Sequence, residues 1–148
     1  MASKSTRTHF KRDYKEEVEA ELKDSRELYA LFLIHDFIGG YLMEWLYITG
    51  KASKEAITKD RIIEIEKIRF REIILVHLAL GNIPYRLFTD LASLNKIRNN
   101  FAHHLTQIDY KNPKEKFKLK TAAQWGIALC DEVYSLYFKK LVERSRHV

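Results

Sequence analysis

A run of apolar residues, LYALFLIHDFIGGYLMEWLYI at 28–48, constrains this 148-residue chain more than any other feature. As a helix it would be about 30 Å long, enough to cross a bilayer or to form the middle of a small domain. It carries His35, Asp36 and Glu44 and the Gly39-Gly40 pair, and each ionised group at mid-bilayer would cost several kcal/mol. The segment therefore reads as the central helix of a soluble core, one that must be covered by neighbours on most of its surface. Those neighbours are expected to be helices, because five Gly and two Pro are too few for the many tight turns of a β-sandwich. With 46% hydrophobic residues the chain can build one domain with a real core.

The remaining periodicity agrees. Residues 13–24 are charged and helix-prone and lead into a helix of about 25–49, which Thr49-Gly50-Lys51-Ala52-Ser53 closes with a Gly stop and a Ser N-cap for the next. A third helix is expected over about 53–80, with one stripe of Ile62, Ile65, Ile68, Leu75 or Val76 and Ala79, and a second of Ile63, Phe70, Ile73, Ile74 and Leu80. Leu80-Gly81-Asn82-Ile83-Pro84 puts Gly past one helix and Pro at the first position of another. That fourth helix, about 84–103, buries Leu87, Leu91, Leu94, Phe101 and Leu105, flanked by Phe88 and Ile97. After a polar loop around Asn112-Pro113, Thr121-Ala122-Ala123-Gln124 resembles a capping box opening a last helix, whose inner face carries Trp125, Leu129, Val133, Leu136, Tyr137 and Leu141. The expectation is an all-α antiparallel bundle of four to five helices in a single domain, 1–148, with 1–12 and 145–148 frayed.

Several function classes lose support early. Cys130 is the only cysteine, and no CxxC or Cys/His cluster surrounds it, so neither a disulfide scaffold nor a structural zinc site is expected. His35 and His77 read as satisfied core histidines, and no metal or cofactor is implied. There is no GxxxxGK[ST], GxGxxG or GxSxG. The basic N-terminus MASKSTRTHFKRDYKEE is not followed by the apolar stretch of a signal peptide, so the expected compartment is the cytoplasm, with no membrane partner.

One stretch breaks its own pattern: LNKIRNNFAHHL, residues 94–105. Counting seven from Leu91, four from Leu94, or back three from Phe101 reaches Arg98 each time, so a guanidinium occupies a position due to a core residue. An unpaired buried cation is costly, and Arg98 needs an acceptor, a ligand or a second subunit; Asp36 or Glu44 is the expected acceptor. Beside it runs a polar row, Asn95, Asn99 and His103, in a helix holding Asn at 95, 99 and 100 although Asn costs about 0.5–0.7 kcal/mol relative to Ala. Two adjacent imidazoles, His103 and His104, complete the set. An imidazole as general acid or base and a guanidinium for charge on phosphate oxygens suit phosphoryl transfer. Around the helix axis, however, His103 lies about 140° and His104 about 120° from Arg98, so two facing copies would close such a site more readily than one.

The Arg-x4-His spacing in IRNNFAHH resembles the Arg-x4–6-His signature of the HEPN superfamily, and IRNNFAH is similar to the form in its mannitol-repressor-like (MltR-like) branch. The likeness extends upstream over residues 67–105, with the Leu-Gly turn about 17 residues before the Arg, and more loosely to 28–48. It implies a HEPN-like bundle that dimerises with the motif near the two-fold axis. It also implies a metal-independent endoribonuclease of toxin or defence type, in which a 2′-hydroxyl attacks the adjacent phosphate. Carried over, Arg98 stabilises the transition-state phosphate, Asn99 orients a group in the site, and His103 or His104 is the acid or base. The MltR-like branch implies the alternative of a non-catalytic transcriptional regulator or protein-interaction module. The corresponding partners are RNA, an antitoxin or a regulatory protein.

Charge bears on the choice. Between Asn95 and Lys120, seven basic residues, Lys96, Arg98, Lys111, Lys114, Lys116, Lys118 and Lys120, face two acidic ones, giving +5 of the chain's +6. A lysine-rich loop there would lend sequence-independent RNA affinity, with Tyr110 and Phe117 available to stack bases. No exposed basic recognition helix of a helix-turn-helix is evident, which disfavours DNA reading.

Overall fold

The computed structural model describes residues 14–51, 67–104 and 112–146. Among them are five helices, α1 (Tyr14–Lys23), α2 (Glu27–Lys51), α3 (Phe70–Ala79), α4 (Tyr85–His103) and α5 (Pro113–Arg146), and no strand. The chain is an all-α helical bundle.

The apolar run forms α2, which extends two residues past the expected stop, through Gly50 to Lys51. Its buried apolar positions, Ala30, Leu31, Ile34, Phe37, Ile38, Tyr41, Leu42 and Trp45, recur every three or four residues. Periodicity in burial thus emerges from a segment almost uniformly apolar in sequence, because the other helices cover one broad side of it. By length and composition Glu27–Ile48 could also cross a membrane, yet this stripe fills the centre of the bundle.

The helix expected to run into α2 is separate from it. At Ser25 the backbone turns left-handed (φ 59°), and the Arg26 N–H reaches the Glu21 carbonyl at 2.9 Å. The reversal folds α1 back so that Tyr14 packs against Phe37 and Tyr41 and its hydroxyl donates to Asp131 on α5.

The third helix is shorter than its expected span. It starts only at Phe70, after non-helical residues 67–69, while Ser53, Ile62, Ile63 and Ile65 lie outside the described residues. Ile73, Ile74 and His77 are buried and Ile68 and Phe70 pack against the core, whereas Leu75 and Val76 of the first stripe and Leu80 of the second are exposed, so neither stripe is core along its whole described length. The turn that follows forms at its expected place. Gly81 takes φ 73°, where a Cβ would be strained, and the Asn82 N–H returns to the His77 carbonyl at 2.9 Å. Pro84 stands just before the helix as its N-cap residue.

The largest departure is at α5. The helix begins at Pro113, so Thr121-Ala122-Ala123-Gln124 is helix interior and forms no capping box. The cause is local: the Asn112 side-chain oxygen accepts the Lys114 N–H at 2.9 Å, with Pro113 at the first helical position. Lysines 114–120 are therefore helical, Leu119 and Ala122 join the core, and the helix persists to Arg146 at the other end.

Side-chain neighbours give the helix directions. Ile34 meets Gly126 and Glu44 meets Tyr137, so α2 and α5 run the same way; His35 meets Phe70 and Leu42 meets His77, so α2 and α3 do too. α4 runs opposite to α2 and α5, with Phe32 against Arg98, His35 against Asn95 and Arg86 against Glu132. At Gly126 a Cβ would stand 2.8 Å from Ile34 Cγ2 and 3.6 Å from Leu94 Cδ1, so the absent side chain lets α2, α4 and α5 close together.

Candidate functional site

α4 buries Leu87, Leu91 and Leu94 completely, and the next position on that stripe is Arg98. Its guanidinium carbon lies 5.1 Å from the centre of the Phe32 ring on α2, and one terminal N–H donates to Asn99 Oδ1 at 3.2 Å. Its Nε is buried without a hydrogen-bond partner. Neither expected acceptor neutralises it: Asp36 is exposed, and Glu44 instead accepts the Tyr137 hydroxyl at 3.2 Å. Among the described residues no carboxylate pairs with Arg98. The cation rests on an aromatic face, a contact worth about 0.5–2 kcal/mol, and no described residue balances its charge.

The polar row divides. Asn95 turns onto α2, where the His35 Nε2–H donates to its Oδ1 at 2.9 Å. Asn99 holds Arg98, and His103 is exposed in the last turn of α4. His104, also exposed, caps the helix, its N–H reaching the Phe101 carbonyl at 3.3 Å. Both imidazoles therefore stand at the negative end of the helix dipole. Phe101 is half-buried, and Leu105 lies outside the described residues.

His35 was legible as a core histidine, and its closeness to Arg98 was not. It is buried, stacked on Phe70 at 4.1 Å, and its pKa is lowered chiefly by burial; the Asn95 bond opposes this, Arg98 adds to it, and Asp36 opposes it. The only signal in the sequence was an imidazole midway along the most apolar helix. It lines a cavity of about 320 Å³ with Asp36, Gly39 and Phe70.

His77 is the second core histidine. Its Nε2–H donates to the Leu42 carbonyl at 2.8 Å, and its Nδ1 accepts from the Asn82 amide at 3.0 Å.

The basic residues frame the end of α4. Lys96 is exposed on α4 itself, and Lys114, Lys116, Lys118 and Lys120 are exposed on the first turns of α5; Tyr110 and Lys111 lie outside the described residues. Being helical rather than looped, the four α5 lysines fall into two pairs at four-residue spacing, Lys114 with Lys118 and Lys116 with Lys120. Among the described residues no three His, Cys, Asp or Glu side chains gather as a metal site would need.

The chain matches no family model, no curated protein and no solved structure. The chemistry must be read from the residues themselves. An arginine with no carboxylate partner among the described residues, two exposed imidazoles at the end of the same helix and four exposed helical lysines on α5 are groups that can meet a phosphate-bearing ligand, but they do not share one face of a single chain.

Proposed function

We propose that the chain is a metal-independent endoribonuclease of the HEPN type, cytoplasmic, toxin- or defence-like, and active as a homodimer. The carrying observation is Arg98, held against Phe32 with a buried unpartnered Nε and no carboxylate pair among the described residues. Such a cation is receptive to an anion. In the reaction a histidine, His103 or His104, takes the proton from a ribose 2′-hydroxyl as its oxygen attacks the adjacent phosphorus. The bond to the 5′ oxygen breaks, an imidazolium returns a proton to that oxygen, and the products are a cyclic phosphate and a 5′-hydroxyl. Arg98 stabilises the charge on the non-bridging oxygens, with Asn99 fixing its guanidinium plane. The angular separation of Arg98 from both imidazoles supports a site completed by a second copy.

The test is cleavage of RNA in EDTA, with end-group analysis, by wild type, Arg98→Ala/His103→Ala and the single histidine variants. A loss of at least about 100-fold in the double variant, with cyclic phosphate ends from wild type, is expected. Intact RNA, or equal cleavage by both proteins, overturns the reading.

One observation favours a second reading, the non-catalytic MltR-like regulator or interaction module with an antitoxin or regulatory protein as partner. Arg98 is seated on groups of its own chain, Phe32 and Asn99, as a purely architectural arginine would be. That reading predicts no cleavage and a partner lost on substitution of His103 or His104.

A further inference from the structure

A groove of about 460 Å³ separates the end of α4 from the start of α5. Ile97, Asn100 and Phe101 form one wall, and Phe117, Lys118 and Trp125 form the other. Its volume lies within the roughly 300–1,000 Å³ of small-molecule sites. Phe117 keeps 70% of its surface in contact with solvent at this groove, a large aromatic ring outside the core.

Charge is placed selectively around it. Lys118 lines the groove and Lys114, one turn earlier, shares its face of α5, whereas Lys116 and Lys120 point about 160° away around the axis. On α4, Ile97 and His104 are seven residues apart and so share a face, which Phe101 adjoins, while Arg98 is the immediate neighbour of Ile97 in sequence. A ligand that meets flat aromatic walls, a carboxamide and two cations in one turn of helix has an apolar face, hydrogen-bonding edges and negative charge.

We infer that this groove is a base-binding subsite for single-stranded RNA, in which Phe117 and Trp125 contact a nucleobase, Asn100 reads its edge, and Lys114 and Lys118 hold the flanking phosphates. The inference rests on the ribonuclease reading above and names where that enzyme grips its substrate. It also sets His104, rather than His103, beside the seated nucleotide within one chain.

The experiment is a fluorescence titration of the full chain with a 2′-O-methyl hexauridine, which lacks the attacking hydroxyl and cannot be cleaved, and with an abasic hexamer of the same charge. Trp45 is buried and gives a constant background, so Trp125 reports on the groove. Quenching by the hexauridine is expected, with affinity about 5- to 150-fold weaker for the abasic strand and for Phe117→Ala. Lys114→Glu/Lys118→Glu should weaken binding more than Lys116→Glu/Lys120→Glu. Equal binding of the two strands, or equal effects of the two lysine pairs, overturns the inference. So does a Phe117→Ala protein that loses a dimer in sedimentation yet binds RNA normally, since the groove would then join two copies. Base-dependent binding without cleavage of ordinary RNA retains the subsite and rejects the nuclease; cleavage with base-independent binding does the reverse. Failure to bind either strand rejects the subsite.

Discussion

The His35 Nε2–H donates to Asn95 Oδ1 at 2.9 Å across the seam between α2 and α4, one turn before Arg98. Phe32, one turn earlier than His35 on α2, lies under the Arg98 guanidinium. Two successive turns of the apolar helix thus hold two successive turns of the motif helix. The aligned pairs fix which way α4 is rotated, and hence that Asn99 and His103 are carried away from the core while Arg98 stays against it.

Removing one member of the hydrogen-bonded pair should cost more than removing both. Asn95→Leu leaves a buried imidazole N–H unpaired, a penalty of about 1–3 kcal/mol. Adding His35→Phe, whose ring can retain the stacking on Phe70, should recover most of it. Urea denaturation of the two single variants and the double variant gives the coupling energy, and additive losses would mean that the bond contributes nothing.

Arg98 opposes the apolar stripe it interrupts, and Arg98→Leu extends Leu87, Leu91 and Leu94 by one position. The melting temperature should be unchanged or raised, because the variant removes a buried unpartnered Nε. RNA cleavage should fall at least about 100-fold. A large loss of stability would make Arg98 an architectural residue and favour the non-catalytic reading.

That Arg98 breaks the pattern was visible in the sequence because its spacing involves only its own helix. What faces it was not, since Phe32 lies 66 positions away and is simply one more apolar residue in an apolar run. The Leu80–Pro84 turn was readable for the same local reason, as Gly and Pro act on the backbone directly. The start of α5 was misplaced because Thr121-x-x-Gln124 and Asn112-Pro113 are both valid helix openings, and the earlier one wins once Leu119 and Ala122 find the core. The lysine segment changed from loop to helix with it, and this alone sorts its cations into two faces.

Acid should destabilise the fold through its two buried histidines. Burial lowers the pKa of both His35 and His77 from the ordinary 6.5. Above that value both rings are neutral whether folded or not, and the stability they allow is fully present. As pH falls below it the unfolded chain takes up protons that the folded rings refuse, so stability declines until the lowered folded pKa is passed. At His77 burial is the lowering cause, and the Leu42 carbonyl that accepts its Nε2–H opposes it. Thermal melts from pH 7.5 to 5.0 should show this decline, and His77→Gln should make it shallower. An identical acid limb in the variant would assign the decline to other groups.

The close approach at Gly126 supplies the sharpest test of the packing that supports the site. Gly126→Ala would gain about 1 kcal/mol of helix propensity, but the new methyl would stand 2.8 Å from Ile34 Cγ2, and overpacking of that kind costs about 1–3 kcal/mol. The Ile34 methyl is attached directly at Cβ and cannot swing away at the end of a flexible chain, and Leu94 limits retreat on the other side. The net effect should therefore be destabilising by up to about 2 kcal/mol. Ile34→Leu moves the branch out by one carbon and vacates the Cγ2 position, so Gly126→Ala should be neutral or stabilising in that background. A double-mutant cycle from denaturation midpoints measures this, and the absence of coupling between positions 34 and 126 would mean that α2 and α5 do not approach as closely as the fold requires.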